Sequence, residues 1–349
     1  MRTCFFIILF IFTIATANAT VRTVSNYPAN LAQHNTIQAA IDASASGDSI
    51  YIHGSPTSYG SFSITNKKLT LIGPGYLPDK ALAYAASINT SDINGDLSSG
   101  CRFEGLVIAG QLSFNGADSS HFLRNYFNGG SIYISPTFAS YSGIVIEGNY
   151  FSNFDNVIVA NYPIYNTSIQ NNVFYKGTIL GIQNGGSVLI NHNLFYGPAN
   201  IAIVTFVNCN NLTIANNIFV RRNAGSGNAN SSFNNNIAYL CDENTPWAMN
   251  GNIDVIGNIS NQNPQMVDEA LVEAGTLSLL LNYTIAAGPA NNSGSDSKDM
   301  GLLYDPTGFY NWAYSHVSRL PYIYSMNISN PVIQTNGSIN VTIEARKSN

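Results

Sequence analysis

Charge is scarce in this chain. Asp, Glu, Lys and Arg make up 9% of it, with 14 cations against 19 anions and a formal net charge of −5. No basic block occurs, so the chain lacks the electrostatic footprint of a nucleic-acid binder. Cysteine is also sparse, at 4 residues. Cys4 falls in an N-terminal apolar run, which leaves Cys101, Cys209 and Cys241, an odd set with no framework spacing. They read as small buried hydrophobes, or as one pair plus an orphan, rather than a disulfide scaffold. There is no CxxC, and His121 and His192 stand alone, so no zinc site is expected. Past the N-terminus no apolar stretch reaches the roughly 20 residues of a membrane helix, and no membrane insertion is expected. The low charge does not signal disorder, because 20 Tyr, 18 Phe and many β-branched residues supply material for a core.

The first residues are expected to be a cleaved secretory signal. Arg2 supplies the positive charge, Cys4 to Ile14 the short apolar run, and Ala17-Asn18-Ala19 the small-residue cleavage site. That places the protein outside the cytoplasm: secreted, periplasmic or at the cell surface. The mature chain is long enough for one large core.

A short phrase repeats through the middle of the chain: Asn125-Tyr-Phe127, Asn149-Tyr-Phe151, Asn172-Val-Phe174, Asn193-Leu-Phe195 and Asn217-Ile-Phe219, decaying to Asn236-Ile-Ala238 and Asn258-Ile-Ser260. Successive Asn are 19 to 24 residues apart, the spacing of a solenoid. Three residues before each Asn stand Phe122, Ile146, Ile169, Ile190, Ile214, Phe233 and Val255, and five before stand Ile144, Thr167, Val188, Leu212 and Ile253. This alternation has the period of a strand with one face buried. The Asn marks a tight bend, with a side chain that tolerates a left-handed backbone, and the Phe points inward again. Stacked at about 4.8 Å, the Asn amides satisfy one another up the column. A further apolar strand comes next in most repeats, at Ser131–Ile134, Asn156–Val159, Thr178–Ile182 and Asn200–Val204, giving three strands per coil.

On these residues the chain resembles the pectin-lyase-like superfamily of right-handed parallel β-helices, whose coils carry such an Asn ladder. The front end is similar too: Thr36-Ile-Gln-Ala-Ala-Ile-Asp42, Gly47-Asp-Ser-Ile-Tyr-Ile52 and Lys68-Leu-Thr-Leu-Ile-Gly73 resemble the family's capping helix, turn and first coils. Ile37, Ala40 and Ile41 share one helical face, which Ser44 interrupts. Ala287-Gly-Pro-Ala290, Gly294 and Asp299-Met-Gly301 resemble a closing segment, and Ile323–Met326 and Ser338–Glu344 alternate as strands. The expected fold is an all-β, single-stranded right-handed parallel β-helix with an N-terminal capping helix. The expected organisation is a signal at 1–19, cap and first coils at 20–80, coils at 81–262, and closing coils with a C-terminal β segment at 263–349.

The resemblance implies chemistry on polysaccharides, but the fold carries many activities. Glycoside hydrolysis needs a carboxyl pair, and the coils hold few acids: Glu104, Asp118, Glu147, Asp155, Asp242, Glu243 and Asp254. Asp242-Glu243 is the only adjacent pair and reads as a solvated loop. Lyase chemistry on a uronate needs a base and groups that neutralise the carboxylate. No calcium cluster stands out, no metal site is expected, and the cofactor stays open. The outward positions of the additional strand read Tyr133, Ile158, Leu180 and Ala202, an apolar row that suits a covered or oligomeric face.

One basic and aromatic stripe remains. Lys176 and Arg221 fall four residues after a ladder Asn, two coils apart, with Tyr175 and Tyr196 three residues after and Arg222 alongside. Cations with aromatic platforms suit acidic sugars. A second set, Arg124, Asn171, His192, Asn216 and Asn235, falls one residue before the ladder, where His192 would serve as a proton shuttle. The candidate catalytic residues are thus Lys176, Arg221 and His192, and the candidate substrate contacts Tyr175, Tyr196, Arg222 and Arg124. The expected function is interaction with polysaccharide, as a lyase on a uronate polymer or, alternatively, as a non-catalytic carbohydrate-binding or structural β-helix.

Overall fold

Each repeat bends twice around its asparagine and returns to the start of the next. The computed structural model describes residues 19–78, 84–135, 140–152, 156–160, 162–198, 203–243, 246–304, 312, 322–328 and 341–346. Residues 1–18, where a signal is expected, lie outside the described residues, as do Asp155 and Ala202. The strands gather into three parallel sheets of 14, 9 and 7 strands, in which each strand pairs with its counterpart one repeat along. The fold is a right-handed parallel β-helix. The first sheet includes Phe122, Ile146 and Ile169, the second holds the Asn-x-Phe strands, and the third holds Gln111–Asn115, Ser131–Ile134, Asn156–Ala160 and Thr178–Leu180.

The Asn ladder sits between the first and second sheets. Asn125 Nδ2 donates to Asn149 Oδ1 at 3.1 Å, and the same bond runs from Asn149 to Asn172, Asn172 to Asn193, Asn193 to Asn217 and Asn217 to Asn236 at 3.0 Å, then to Asn258 at 2.9 Å. From Asn149 on, each Oδ1 also accepts the backbone N–H of the ladder residue one coil earlier, as Asn193 Oδ1 does from Asn172 N at 3.0 Å, while Asn125 Oδ1 accepts from Leu106 N. Each Nδ2 reaches back to the carbonyl three residues before that earlier Asn, as Asn193 does to Ile169 at 2.9 Å. The buried amides are therefore fully used, which removes the desolvation cost of burying them.

Two residues on, the Phe column fills the interior. Phe127, Phe151, Phe174, Phe195 and Phe219 are fully buried and stack nearly parallel with centroids 4.4 to 5.0 Å apart. Aromatic pairs left to themselves favour offset or edge-on contacts. Here the coil spacing of about 4.8 Å dictates the stack.

The left-handed bend does not fall on the ladder Asn but on the residue before it. Gly105, Arg124, Gly148, Asn171, His192, Asn216, Asn235 and Gly257 all have φ between 51° and 68°. A second left-handed column lies four residues after the ladder, at Gly129, Lys176, Arg221 and Leu240. The ladder side chain is occupied in the amide column, so the neighbour takes the strained backbone. Gly and Asn adopt it readily, whereas Arg, Lys and His do so at a cost of about 1 kcal/mol.

Three register details depart from the sequence reading. A bulge at Asn156–Ile158 turns both Val157 and Ile158 inward, so Val159, not Ile158, pairs outward beside Tyr133 and Leu180. The third-sheet strand of the next coil is Phe206–Val207 rather than 200–204, while Ile203–Val204 pairs with Arg222–Asn223 in a small sheet of its own. At the last coil another bulge shifts the register, and Ile253 and Val255 are 60% and 53% exposed instead of buried.

At the front, the helix Ile37–Ala43 starts on Thr36, whose Oγ1 accepts Ala39 N–H at 3.2 Å, and buries Ile37, Ala40 and Ile41. Ser44, the polar break in that face, donates to Ala40 O at 2.7 Å and is buried too. Cys101, Cys209 and Cys241 are free thiols, each pushed up to about 11 by burial. Tyr322–Ile328 and Val341–Arg346 form an antiparallel pair.

Replacing Asn193 with Ala removes the link between Asn172 and Asn217 and strands two backbone groups. We expect a loss of about 3 kcal/mol in unfolding free energy, read from the denaturant midpoint at unchanged slope.

Candidate functional site

The outer face of the second sheet is covered. Tyr150, Val173, Leu194, Ile218 and Ile237 form a second apolar core with Met266, Leu281, Tyr283, Ile285, Met300 and Leu302 from the closing segment. Three members of the basic and aromatic stripe read from the sequence, Tyr175, Tyr196 and Arg221, lie under this segment. Tyr175 OH donates to Gly275 O at 3.1 Å, Tyr196 OH to Thr276 O at 3.1 Å, and Arg221 Nε to Glu273 O at 2.9 Å, at the end of the short helix Glu269–Glu273. The hydroxyls of Tyr150 and Tyr283 lie 2.7 and 3.3 Å from that of Tyr196, and burial pushes the Tyr196 phenol up to about 12.

The row before the ladder does the same work further along. Asn171 Oδ1 accepts Leu303 N–H at 2.8 Å, Asn216 Oδ1 accepts Ser295 N–H at 2.7 Å, and Asn235 Nδ2 donates to Ser293 O at 2.8 Å. His192 is 2% exposed, with Nδ1 3.0 Å from Gly301 O and Nε2 3.1 Å from Asp296 Oδ2. Gly301 is held at φ 80°, and a Cβ there would meet Ile218 Cδ1 at 2.5 Å, so only glycine allows this approach. His192 is therefore an anchor for residues 293–303, not a group open to solvent. Its left-handed backbone is stabilised by the contacts its ring makes.

The remaining candidates divide. Arg222 is fully buried and donates to Gly177 O at 2.6 Å, so it faces no open groove. Arg124 is 8% exposed, with Nη1 3.2 Å from Glu104 Oε1, and Arg102 Nη2 sits 2.6 Å from the other Glu104 oxygen. Glu104 is thus held between two guanidinium groups on the outside of the first sheet. Lys176 is partly exposed, in a left-handed bend, and no hydrogen bond or ion pair joins its side chain to a described residue. Among the described residues no group of three His, Cys, Asp or Glu could hold a metal ion.

The sequence reading missed the outer face of the third sheet as a polar surface. On its N-terminal half Ser63, Asp92 and Ser113 align across neighbouring strands, with Thr65, Asn94 and Asn115 beside them and Gln111 at the edge. Asn115 Nδ2 donates to Asn94 Oδ1 at 2.8 Å, Asn94 Nδ2 to Ser63 Oγ at 3.0 Å, and Gln111 Nε2 to Ser113 Oγ at 2.8 Å. Further along, the same row becomes Tyr133, Val159, Leu180 and Val207, all partly exposed. Tyr133 stands at the boundary between the polar and apolar halves. The polar period-two runs Asp92-x-Asn94 and Gln111-x-Ser113-x-Asn115 were the available clue.

The molecule is thus a parallel β-helix whose second sheet is sealed and whose third sheet is open along the described residues. No family model and no curated protein matches the chain. Among solved structures it is similar to one described as the crystal structure of pectate lyase Pel9A, with 13% identity over 81% of this chain and 96% of that one and a TM-score of 0.39.

Burial lowers the pKa of His192 below its ordinary value, with the nearby Asp296 carboxylate opposing and Lys298 reinforcing the shift. A folded-state pKa below the unfolded one contributes stability above pH 6.5 that is lost as pH falls through the folded value. Thermal melts from pH 7.5 to 5 should show the wild type losing more stability than His192→Gln. Parallel pH profiles would contradict this reading of His192.

Proposed function

We propose that this is a secreted, non-catalytic polysaccharide-binding β-helix that holds its ligand on the outer face of the third sheet. The observation that carries the proposal is the grid of partly exposed side chains Asn94, Asn115, Gln111 and Ser63, with the exposed Asp92 among them and the buried Ser113 beneath, running into the Tyr133 ring. Sugar hydroxyls both donate and accept, and amide and hydroxyl side chains match them in either role. The C–H face of a sugar ring packs on an aromatic plane, which Tyr133 and the apolar row beyond it supply. Because the coils repeat at about 4.8 Å, an extended chain lying along the stack meets similar groups at each step. Among the described residues no titrating pair on that face is placed for acid–base work, and the cations proposed from sequence for lyase chemistry, apart from Lys176, are engaged elsewhere.

A second reading is a lyase on a uronate polymer. It rests on Lys176, whose ammonium has no partner among the described residues. One experiment separates the two. Purified protein is titrated with a panel of neutral and acidic polysaccharides, following binding, unsaturated-product absorbance and new reducing ends together. We expect saturable binding without new absorbance or reducing ends. Tyr133→Ala should weaken binding about tenfold, or about 1.4 kcal/mol, and Lys176→Ala should leave it unchanged. Binding indifferent to Tyr133→Ala would place the ligand elsewhere. Product absorbance abolished by Lys176→Ala would establish the lyase instead.

A further inference from the structure

Arg222 is a full positive charge inside the solenoid with no negative group among the described residues to meet it. Its exposure is 0%, and its side chain runs down the stack past Gly197, where a Cβ would come within 3.5 Å of Arg222 Cδ, to the carbonyl of Gly177 two coils away. Nη2 donates to Gly177 O at 2.6 Å and to Val204 O at 3.3 Å, while Nε and Nη1 are buried without a hydrogen-bond partner. Burial pulls the guanidinium pKa down to about 9, which leaves it charged at neutral pH. Cys241 lies close by, but its thiol donates to Arg222 O at 3.2 Å and burial pushes it up to about 11, so it stays neutral.

No carboxylate among the described residues forms an ion pair or hydrogen bond with this guanidinium. Between Asp155 and Asp242 the sequence contains no Asp or Glu. Glu243, just beyond, gives both its oxygens to the backbone N–H groups of Gly225 and Ser226 at 2.8 Å. Carbonyl dipoles solvate one edge of the guanidinium and leave the rest bare. Burying an ion without a counter-charge costs several kcal/mol, and folded proteins rarely tolerate it. A second unpartnered group lies one residue from an Arg222 partner, Val204. Thr205 Oγ1 is buried with no hydrogen bond. Thr205 follows Ile203–Val204 at a bend, and the Val204 carbonyl next to it accepts from Arg222 Nη2 at 3.3 Å.

We propose that Arg222, with the Thr205 hydroxyl, holds a buried small monovalent anion of the halide type. One guanidinium matches one negative charge. Chloride accepts from N–H and O–H donors without needing donors in return, which suits unsatisfied Arg222 N–H groups and a hydroxyl. The crowding around Gly197, where a Cβ would also meet Ile203 Cδ1 at 3.3 Å, favours a single atom over sulfate or phosphate. The site lies where the third sheet ends at Phe206–Val207, so the anion neutralises the interior of a coil that has no third-sheet strand.

The test is bromide-for-chloride exchange in crystals of the full chain, with diffraction collected at the bromine absorption edge. The result expected is an anomalous peak within contact distance of the Arg222 guanidinium. Ordered protein at that position with no anomalous density, or with density accounted for by water, overturns the proposal. In solution, thermal melts at constant ionic strength, with chloride replaced by bulky gluconate, should show the wild-type midpoint falling as chloride falls, as binding linkage requires. Arg222→Leu should abolish that dependence. A dependence that survives in Arg222→Leu, or its absence in the wild type, also overturns the site. If Arg222→Leu does not fold, the bromide experiment on the wild type decides alone.

Discussion

The asparagine ladder is the interaction on which the rest of the molecule depends. Each amide joins the coil before it to the coil after it and also takes up two backbone groups that the bend would otherwise strand. Because the column is satisfied only when successive Asn lie directly above one another, it fixes the register of the first and second sheets together. The stacked phenylalanines are set by that register, including a face-to-face geometry that the rings alone would not choose. Coils of unequal length, from 19 residues to 24, are tolerated because the variation is expelled into bends remote from the column.

A ladder of this kind commits its neighbours. With the Asn side chain spoken for, the residue before it turns left-handed, and the side chains of that row stand in line along one edge of the second sheet. The protein uses this edge as a fastening strip. Asn171, His192, Asn216 and Asn235 bind residues 293–303, and Tyr150, Tyr175, Tyr196 and Arg221 bind the stretch from Glu273 to Tyr283. In an open solenoid these cations and aromatics would form a wall. Here they form the inner surface of a joint, and the third sheet is left to solvent along its described residues.

This division explains which features were legible in the sequence. The Asn and Phe columns were readable because they repeat, and a repeat reports its own geometry. Asn125 to Asn258 could be aligned by eye, and the inward direction of Phe127 or Ile146 comes from alternation alone. The roles of His192 and Arg221 were not readable, because their partners, Asp296, Gly301 and Glu273, lie far along the chain and carry no pattern that points back. Ile158 was misassigned because one bulge reverses every later position in a strand, and alternation cannot reveal a bulge in an all-apolar run. Ile253 and Val255 fit the buried template but fall at the last coil, where the register shifts and no further coil covers them.

The central claim is that the row flanking the ladder is occupied by the closing segment. Residue-resolved amide hydrogen exchange on the native protein tests it most directly. The Gly301 and Leu303 amides, which donate to Asn216 O and Asn171 Oδ1, are predicted to exchange about as slowly as the amides of Val173 and Ile218 in the second sheet. Exchange of Gly301 and Leu303 at the rate of an exposed loop, with the sheet still protected, would mean that the segment does not hold the strip, and that His192, Tyr196 and Arg221 line an open face after all.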